Sequence, residues 1–148
     1  MKMALENWFK IGKIIKYKTS KEEINAIYGV IDRCFKDANL KGLSSDQKYI
    51  LSYQAALEAG MALIYYHGYR PLKAGHHYIT WQCLKDLLGE KNRKTILLFE
   101  DAAKKRSKLS YDVAGLASQK EADEMYQESR DFVSLVKEEI NKLNMSAL

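Results

Sequence analysis

The chain has 148 residues, of which 47% are hydrophobic and 29% charged, a balance that suits one globular domain with a sizeable core. One proline and eight glycines provide too few turns for an all-β fold. Basic residues outnumber acidic ones by 24 to 19, and residues 1–18 hold five lysines against Glu6, so the basic surplus is concentrated at the N-terminus. We therefore predict a single all-α domain over residues 1–148.

Two features indicate a cytoplasmic protein without membrane association. The longest nearly uncharged run, Ile50 to Tyr69, is interrupted by polar residues and is predicted to be a core helix, not a membrane span. Cys34 and Cys83 fall in apolar helical patterns, which favours buried reduced thiols over a disulfide. No targeting or lipidation signal is recognisable.

The first 18 residues predict a short basic amphipathic helix. Leu5, Trp8, Ile11 and Ile15 recur at steps of three, three and four, with lysines on another side. Such a segment can lie on a membrane or on nucleic acid. Trp8 and its aromatic neighbour Phe9 favour the other interpretation, in which the helix docks on its own bundle.

Capping motifs and glycines divide the rest of the chain into helices. Ser20 and Glu23 form a capping box, and Gly42 marks the end of that helix. The next helix opens near Ser44 and carries interleaved alanines, which predict the central helix of a bundle because small side chains let neighbours approach closely.

The second half of the chain predicts three more helices. Pro71 breaks the central helix. An amphipathic pattern then ends at Gly89, a further helix begins near Arg93, and Ser118 with Glu121 forms a capping box before the last one. Four long helices with short extra ones indicate an antiparallel up-and-down helical bundle.

A cluster of cations near the end of the fifth predicted helix is the main functional signal. Lys104, Lys105, Arg106 and Lys108 are followed closely by Tyr111-Asp112. Like charges at this density repel one another, so a bound anion can offset them. The alternative is a solvated helix end, where cations suit the negative pole of the helix dipole.

The histidines invite a metal interpretation that their spacing opposes. No pair among His67, His76, His77 and Cys83 lies at i, i+4 on one helix face. We therefore expect no metal and no other cofactor. His76 or His77 is predicted to cap its helix or to reach polar groups in the end layer of the bundle. A functional alternative pairs Arg70 with His76, the arginine holding a phosphate and the histidine moving a proton.

The order of these pieces resembles the HEPN superfamily, the higher eukaryote and prokaryote nucleotide-binding domain, in its small stand-alone bacterial and archaeal form. The resemblance covers nearly the whole chain. It rests on Trp8…Gly12, Ser20-Lys-Glu-Glu-Ile24, Asp37-Ala38, Asp46…Tyr53-Gln-Ala-Ala-Leu57, Gly68-Tyr69-Arg70…Gly75-His76-His77, Lys105-Arg106…Tyr111-Asp112 and Ser118…Glu121-Ala122.

This resemblance implies a homodimer with a nucleotide- or RNA-binding cleft where two copies meet. Many members cleave RNA without metal through an R-x(4–6)-H motif, in which the histidine activates a ribose 2′-OH and the arginine stabilises charge on the phosphate. Arg106 matches the arginine, but Tyr111 stands where the histidine is expected. A tyrosine titrates near pH 10 and is a poor base at neutral pH.

Arg70 and His76 also fit R-x5-H in form, although they lie before the short helix and not at the family's motif position. Stand-alone members often pair with a separate small nucleotidyltransferase in toxin–antitoxin-like systems, and the resemblance therefore implies such a partner.

Three functions follow as alternatives. The first is a dimeric module that binds a nucleotide or RNA phosphate through Lys105, Arg106 and Lys108, with Arg70 adjacent. The second is a metal-independent endoribonuclease that uses Arg106 with Tyr111, or with His76 or His77 brought close by folding, and Asp112 as an accessory group. The third is a protein-interaction bundle in which Arg106 forms a salt bridge to Asp112 or Glu100.

Overall fold

A computed structural model describes residues 2–111 and 114–143, without the side chains of Lys2, Met3, Ser110 and Tyr111. Over these residues the chain forms six α-helices and one small two-stranded sheet. In chain order the elements are α1 (Lys2–Lys10), β1 (Ile14–Lys16), α2 (Lys21–Ala38), α3 (Ser45–Tyr66), β2 (Tyr69–Pro71), α4 (His76–Leu88), α5 (Arg93–Tyr111) and α6 (Gln119–Lys142). The predicted all-α class is confirmed.

Helix α3 is the centre of the bundle, as its alanines predicted. It packs against α2 and α6 most extensively and also contacts α4 and α5. Its alanines and Gly60 are buried, and a Cβ atom built on Gly60 would lie 2.5 Å from Leu84 Cδ1 of α4. The glycine therefore sets the close approach of α3 and α4.

The core beneath the candidate site is aromatic. Trp81 of α4 stacks on Phe99 of α5, with ring centroids 5.0 Å apart, and both rings contact Phe132 of α6. All three side chains are almost fully buried. This cluster holds α4, α5 and α6 in one arrangement, and so determines which side chains can meet at its edge.

The N-terminal segment differs from the predicted helix. Helix α1 ends at Lys10, Gly12 adopts a left-handed conformation with φ 78°, and β1 pairs antiparallel with β2, Ile15 lying opposite Arg70. Ile14 is buried while Ile11 is 64% and Ile15 36% exposed, so the apolar face of the predicted helix does not continue beyond α1. The sheet was not predicted, since each strand has only three residues.

Helix α1 docks on the bundle, as its aromatic residues predicted. It packs against α4, and Trp8 Nε1 donates a hydrogen bond to Asp86 Oδ2 at 2.7 Å. Cys34 and Cys83 are buried free thiols, also as predicted. No described helix is both long and apolar enough to cross a membrane.

Capping determines where the long helices begin. The Ser118 hydroxyl accepts from Glu121 N–H while the Glu121 carboxylate accepts from Ser118 N–H, so the predicted box at α6 is complete. Ser20 likewise accepts from Glu23 N–H. The Glu23 carboxylate, however, accepts hydrogen bonds from the Tyr17 and Thr19 hydroxyls, and thus ties the segment after β1 to α2.

Candidate anion-binding site

Arg106 lies on α5 at the edge of the aromatic core. Its side chain is half-buried, and its Nε atom is buried with no hydrogen-bond partner among the described residues. Burial raises the pKa of Tyr53 of α3 and lowers the pKa of His77 of α4, and the nearby charge of Arg106 partly opposes the first shift and adds to the second. The bundle therefore brings His77 close to Arg106, although the two are far apart in sequence. A buried guanidinium nitrogen without a partner retains an unused donor for an anion.

A hydrogen-bonded chain leads from the core to this site. Trp81 Nε1 donates to the Tyr53 hydroxyl at 2.9 Å, and that hydroxyl lies 2.9 Å from Nδ1 of His77. The Tyr53 and His77 rings also stack, with centroids 5.7 Å apart. Trp81 and Tyr53 are fully buried, so these two hydrogen bonds hold the His77 imidazole in place.

The donor and acceptor roles in this series of hydrogen bonds determine the His77 tautomer. Indole N–H is only a donor, so the Tyr53 oxygen accepts from Trp81. The Tyr53 proton then needs an acceptor in a buried site, and Nδ1 of His77 supplies it. Nδ1 is therefore unprotonated, and the ring proton of neutral His77 sits on Nε2. His77 offers its surroundings an N–H donor, which suits a phosphate oxygen.

Burial keeps this histidine neutral at physiological pH. Desolvation, then the charges of His76 and Arg106, lower the pKa of His77 to about 4. Burial raises the pKa of Tyr53 to about 12, an effect that the Trp81 hydrogen bond and Arg106 partly oppose. Both groups are thus uncharged at pH 7, and Arg106 remains the cation of the cluster.

His76 has the opposite tautomer. Its Nδ1 lies 3.1 Å from the carbonyl oxygen of Lys73, and because a carbonyl only accepts, Nδ1 carries the proton. Nε2 of neutral His76 therefore has a free lone pair. The two imidazoles meet edge to face, with centroids 4.5 Å apart. The site thus presents one nitrogen that donates and one that accepts.

The start of α4 lies within this cluster. Gly75 is the N-cap in a left-handed conformation, φ 70°, and the helix start has no side-chain cap among the described residues. The prediction that His76 or His77 caps this helix is wrong, because their rings bond to Lys73 and Tyr53 instead. The prediction that one of them reaches a polar group of the bundle is confirmed by Tyr53. The N–H groups of the first turn add positive potential at His77, on which the charge of Arg106 also acts.

The other predicted cations lie in different surroundings. Lys105 forms an ion pair with Glu121 at the start of α6, and its ammonium lies 5.3 Å from the centre of the Tyr49 ring. It joins α5 to α6 and α3. Lys108 is exposed and lines a shallow surface pocket of about 280 Å³ together with Lys104 and Lys105. Lys104 also lines the cavity next to His77.

Arg70 belongs to a separate cluster. It lies on β2, its guanidinium 5.4 Å from the centre of the Tyr17 ring. The hydrogen bond to Glu23 raises the pKa of Tyr17 and burial raises the pKa of Tyr65, and the charge of Arg70 opposes both shifts. No contact among the described side chains joins it to Arg106. Among the described residues, Arg70 contacts the Tyr17 ring and His76 contacts His77.

The remaining predicted residues are only partly described. Helix α5 ends at Tyr111, whose side chain is outside the described part, and Asp112 lies outside the described residues. Glu100, one predicted salt-bridge partner of Arg106, instead pairs with Lys85 of α4. Over the described part of the chain, no group of three His, Cys, Asp or Glu side chains could hold a metal.

Sequence reasoning missed two members of this site, Tyr53 and Trp81. It named Lys104 among the cations but did not place it at the cavity next to His77. Tyr53 and Trp81 are both fully buried aromatic residues of the core. A usable signal was the spacing of His77 and Trp81, which at i, i+4 share one face of a helix. Nothing in the sequence pointed to Tyr53 as their common partner.

A family model described as HEPN_SAV_6107-like HEPN matches residues 41–137. The match spans α3, α4, α5 and most of α6, and thus all the residues of the Arg106 cluster. Neither a curated protein nor a solved structure matches the chain.

Proposed function

The chain belongs to the HEPN superfamily, and from that premise we propose that it binds the phosphate of a nucleotide or an RNA at Arg106. The observation that carries this proposal is the buried Nε of Arg106, which has no hydrogen-bond partner among the described residues. Two neighbours strengthen it: the Nε2–H donor of His77 and the uncapped first turn of α4. Together they form a site rich in donors, the requirement for phosphate.

The experiment is a titration of the wild-type chain and Arg106→Ala with a fluorescent RNA oligonucleotide and with 5′-nucleotides. Losing charge-assisted hydrogen bonds of about 1.5–3 kcal/mol should weaken binding by about tenfold or more. Arg33→Ala is the matched control, because Arg33 is an exposed arginine of α2 and its replacement removes the same charge. Equal affinity of Arg106→Ala and Arg33→Ala would contradict the proposal, provided that circular dichroism shows both variants folded.

The second candidate, metal-independent RNA cleavage, is favoured by His76. Its free Nε2 lone pair could take the proton of a ribose 2′-OH as the 2′-oxygen attacks phosphorus. The P–O5′ bond then breaks, the 5′-oxygen takes a proton from water, and Arg106 stabilises the charge on the phosphate oxygens. His77 is the poorer base, because its Nε2 already carries a proton and its pKa is about 4.

Cleavage is tested by incubating RNA with the purified chain in EDTA and comparing it with His76→Ala. Shortened products with a 2′,3′-cyclic phosphate, absent with His76→Ala, would establish the enzyme. RNA that stays intact while the same protein binds it would restrict the chain to the binding function. Binding is the function we favour, because more of the site donates hydrogen bonds than accepts protons.

The proposal includes the partners that the resemblance implied: a second copy of the chain and a separate nucleotidyltransferase. A groove of about 590 Å³ along α5 and α6 supports the first, since Leu97, 40% exposed, leaves apolar surface there beside Met125. Light scattering after size exclusion should give twice the chain mass of 17.1 kDa. A monomer at high micromolar concentration would remove the homodimer from the proposal.

A further inference from the structure

The outward face of the two-stranded sheet combines aliphatic and basic side chains. Ile14 and Pro71 lie opposite each other in the register, and both are buried, so they define the inner face. Ile15, the next residue of β1, is exposed and lies opposite Arg70. Because neighbouring residues of a strand point to opposite faces, Ile15 and Arg70 belong to the outward face.

The same combination continues one residue beyond the strands. The Leu72 N–H donates to the carbonyl oxygen of Lys13 at 3.5 Å, so the two segments stay paired there. Both side chains are exposed. Lys13 is two residues from Ile15, and Leu72 is two residues from Arg70, so all four share the outward face. Each of the two cross-strand pairs contains one aliphatic and one basic side chain.

Helix α1 and the turn after it extend this surface. Trp8 docks on the bundle, but the neighbouring Phe9 remains exposed. The Phe9 ring contacts the sheet, with its centroid 5.7 Å from that of Tyr69 and 5.4 Å from Lys16 Nζ. Ile11, in the turn that leads to β1, is the most exposed large hydrophobic residue of the described chain. Docking of α1 thus leaves apolar side chains in water beside the sheet.

We call this region the sheet surface and define it by four exposed apolar residues and five basic ones. They are Phe9, Ile11, Ile15 and Leu72, with Lys10, Lys13, Lys16, Arg70 and Lys73. The two segments that form it, residues 7–19 and 59–85, contain no Asp or Glu. Among the described residues its basic side chains form no ion pair. Its positive charge is therefore available to a partner.

Three acidic residues lie close to these segments in the sequence. Glu23 accepts hydrogen bonds from two hydroxyls of the segment after β1, and Asp86 accepts from Trp8. Glu6 is exposed on α1. One carboxylate beside five cations leaves the sheet surface strongly basic.

This combination of groups matches the surface of an anionic bilayer. Aliphatic side chains gain free energy by leaving water for the boundary between headgroups and acyl chains, while cations beside them are attracted to anionic headgroups. RNA would engage the cations, but its phosphates and sugars offer no apolar environment to isoleucine or leucine. We propose that the sheet surface binds reversibly to membranes that contain anionic lipid.

The proposal goes beyond phosphate binding at Arg106 and does not depend on it. Binding at the membrane surface requires no spanning helix. It therefore departs from the sequence-based prediction of a protein without membrane association, which considered spanning segments and targeting or lipidation signals.

The experiment is co-sedimentation of the full chain with lipid vesicles. One set contains phosphatidylcholine and phosphatidylserine in equal parts, and the other contains phosphatidylcholine alone. Each cation near an anionic surface contributes roughly fivefold in affinity, so the mixed vesicles should bind about a hundredfold tighter or more. High salt should weaken this binding, because it screens the lysines. Equal binding to the two sets, or none to either, would overturn the proposal.

Two charge variants locate the contact. Lys10→Ala with Lys13→Ala should weaken binding to the mixed vesicles by roughly tenfold or more. Lys36→Ala with Lys41→Ala is the matched control: it removes the same charge from exposed positions at the other end of α2, a helix of 18 residues and thus roughly 27 Å long. Equal losses would reduce the effect to net charge and overturn the assignment. Unchanged vesicle binding with weakened RNA binding in the first variant would assign the surface to RNA instead.

A second pair of variants tests the apolar contribution. Ile11→Ser should weaken binding to the mixed vesicles by roughly threefold or more. Leu40→Ser is the control, because Leu40 is 57% exposed against 64% for Ile11 and lies just beyond the end of α2. Circular dichroism checks that both variants fold. Arg106→Ala should bind vesicles like wild type, which separates this surface from the phosphate site. Wild-type vesicle binding by Ile11→Ser would overturn the proposal.

Discussion

At the scale of single residues, Tyr53 explains how a buried core produces a site at its edge. Its ring belongs to the core, while its hydroxyl accepts a hydrogen bond from Trp81 and donates its own proton to His77. Without this link His77 could adopt either tautomer. The tyrosine therefore positions the His77 imidazole, which in the proposed function donates to the phosphate.

Tyr53→Phe tests that role. The variant keeps the ring but leaves the Trp81 N–H buried and unpaired, which should lower the free energy of unfolding by about 1–3 kcal/mol in urea titrations. Nitrogen-15 NMR of the imidazole should show a mixture of His77 tautomers. Tyr126→Phe is the control: its hydroxyl bonds Asn39 in an exposed pair, so a change within about 0.5 kcal/mol is expected.

The lowered pKa of His77 predicts how stability depends on pH. Its value is about 4 in the folded chain against 6.5 for the free side chain. Between these values the unfolded chain binds more protons, so this residue lowers stability as the pH falls from about 6.5 to about 4, and contributes a constant amount above that window.

Urea midpoints at pH 7.5 and 5.5 measure the effect. The wild type should lose stability at the lower pH, and His77→Gln should lose less, because glutamine does not titrate. The interval also lies above the range where carboxylates such as Glu121, with a pKa of about 2, begin to protonate in the folded chain. An identical pH response of both proteins would contradict the buried neutral histidine.

At the scale of elements, the approach of α3 to α4 brings Tyr53 and His77 together. Gly60 permits that approach, and Gly29 of α2 is a glycine with no atom within 4 Å of its added Cβ. Both occupy helix interiors, where glycine costs roughly 0.5–1 kcal/mol relative to alanine. They differ only in what a methyl group would meet.

Alanine at the two positions should therefore change stability in opposite directions. Gly29→Ala gains the helix propensity, so it should be more stable by about 0.5–1 kcal/mol. Gly60→Ala must displace Leu84, which is fully buried, and overpacking at about 1–3 kcal/mol should outweigh the same gain. Thermal unfolding measures both, and a more stable Gly60→Ala would show that the two helices can separate freely.

A carboxylate of α3 binds the described part of the connection between α5 and α6. Asp46, in the first turn of α3, accepts hydrogen bonds from the backbone N–H groups of Gly115, at 2.6 Å, and Ala117, at 3.1 Å. It thus ties the segment that follows the cationic cluster to the central helix.

Asp46→Ala should cost about 1.5–3 kcal/mol of unfolding free energy and speed proteolysis of the connection, because hydrogen bonds to a charged group are removed. Asp123→Ala is the comparison. Asp123 pairs with Lys48 at the exposed surface, where such ion pairs contribute about 0.2–1 kcal/mol. Similar destabilisation of the two variants would contradict a special role for Asp46.

At the scale of the whole molecule, the surplus of positive charge favours a polyanionic ligand. The formal net charge is +5, and the exposed Lys104 and Lys108 lie on the same helix as Arg106. In the proposed function they would contact the RNA backbone on either side of the phosphate at Arg106. The net charge of the chain and the cations near Arg106 then both favour binding of a polyanion.

This arrangement predicts a specific salt dependence of RNA binding. The logarithm of the affinity should fall with that of salt concentration, and Lys104→Ala with Lys108→Ala should reduce the slope by roughly 0.7 for each phosphate that the variant no longer neutralises. Lys18→Ala with Lys21→Ala removes the same charge from exposed positions elsewhere. If this control lowers the slope equally, the contribution is one of net charge alone.

Most of the fold could be predicted because helix ends carry local signals. Ser44, Ser118 and Gly89 mark helix ends through bonds or conformations that involve only a few neighbouring residues. The small sheet could not be predicted, because β1 and β2 are three residues long and pair across more than 50 positions of the chain. Strand pairing of that kind leaves little local pattern.

The sequence by itself determined the helices, the all-α class, the family resemblance and the cationic cluster around Arg106. Only the tertiary structure decided which of two adjacent cations is ion-paired within the described part of the chain and what surrounds the other. Lys105 and Arg106 are adjacent in the chain, yet one forms an ion pair with Glu121 and the other retains a nitrogen without a partner among the described residues. The reason is physical: neighbours on a helix point about 100° apart, and what each then meets depends on how α3, α4 and α6 pack around α5.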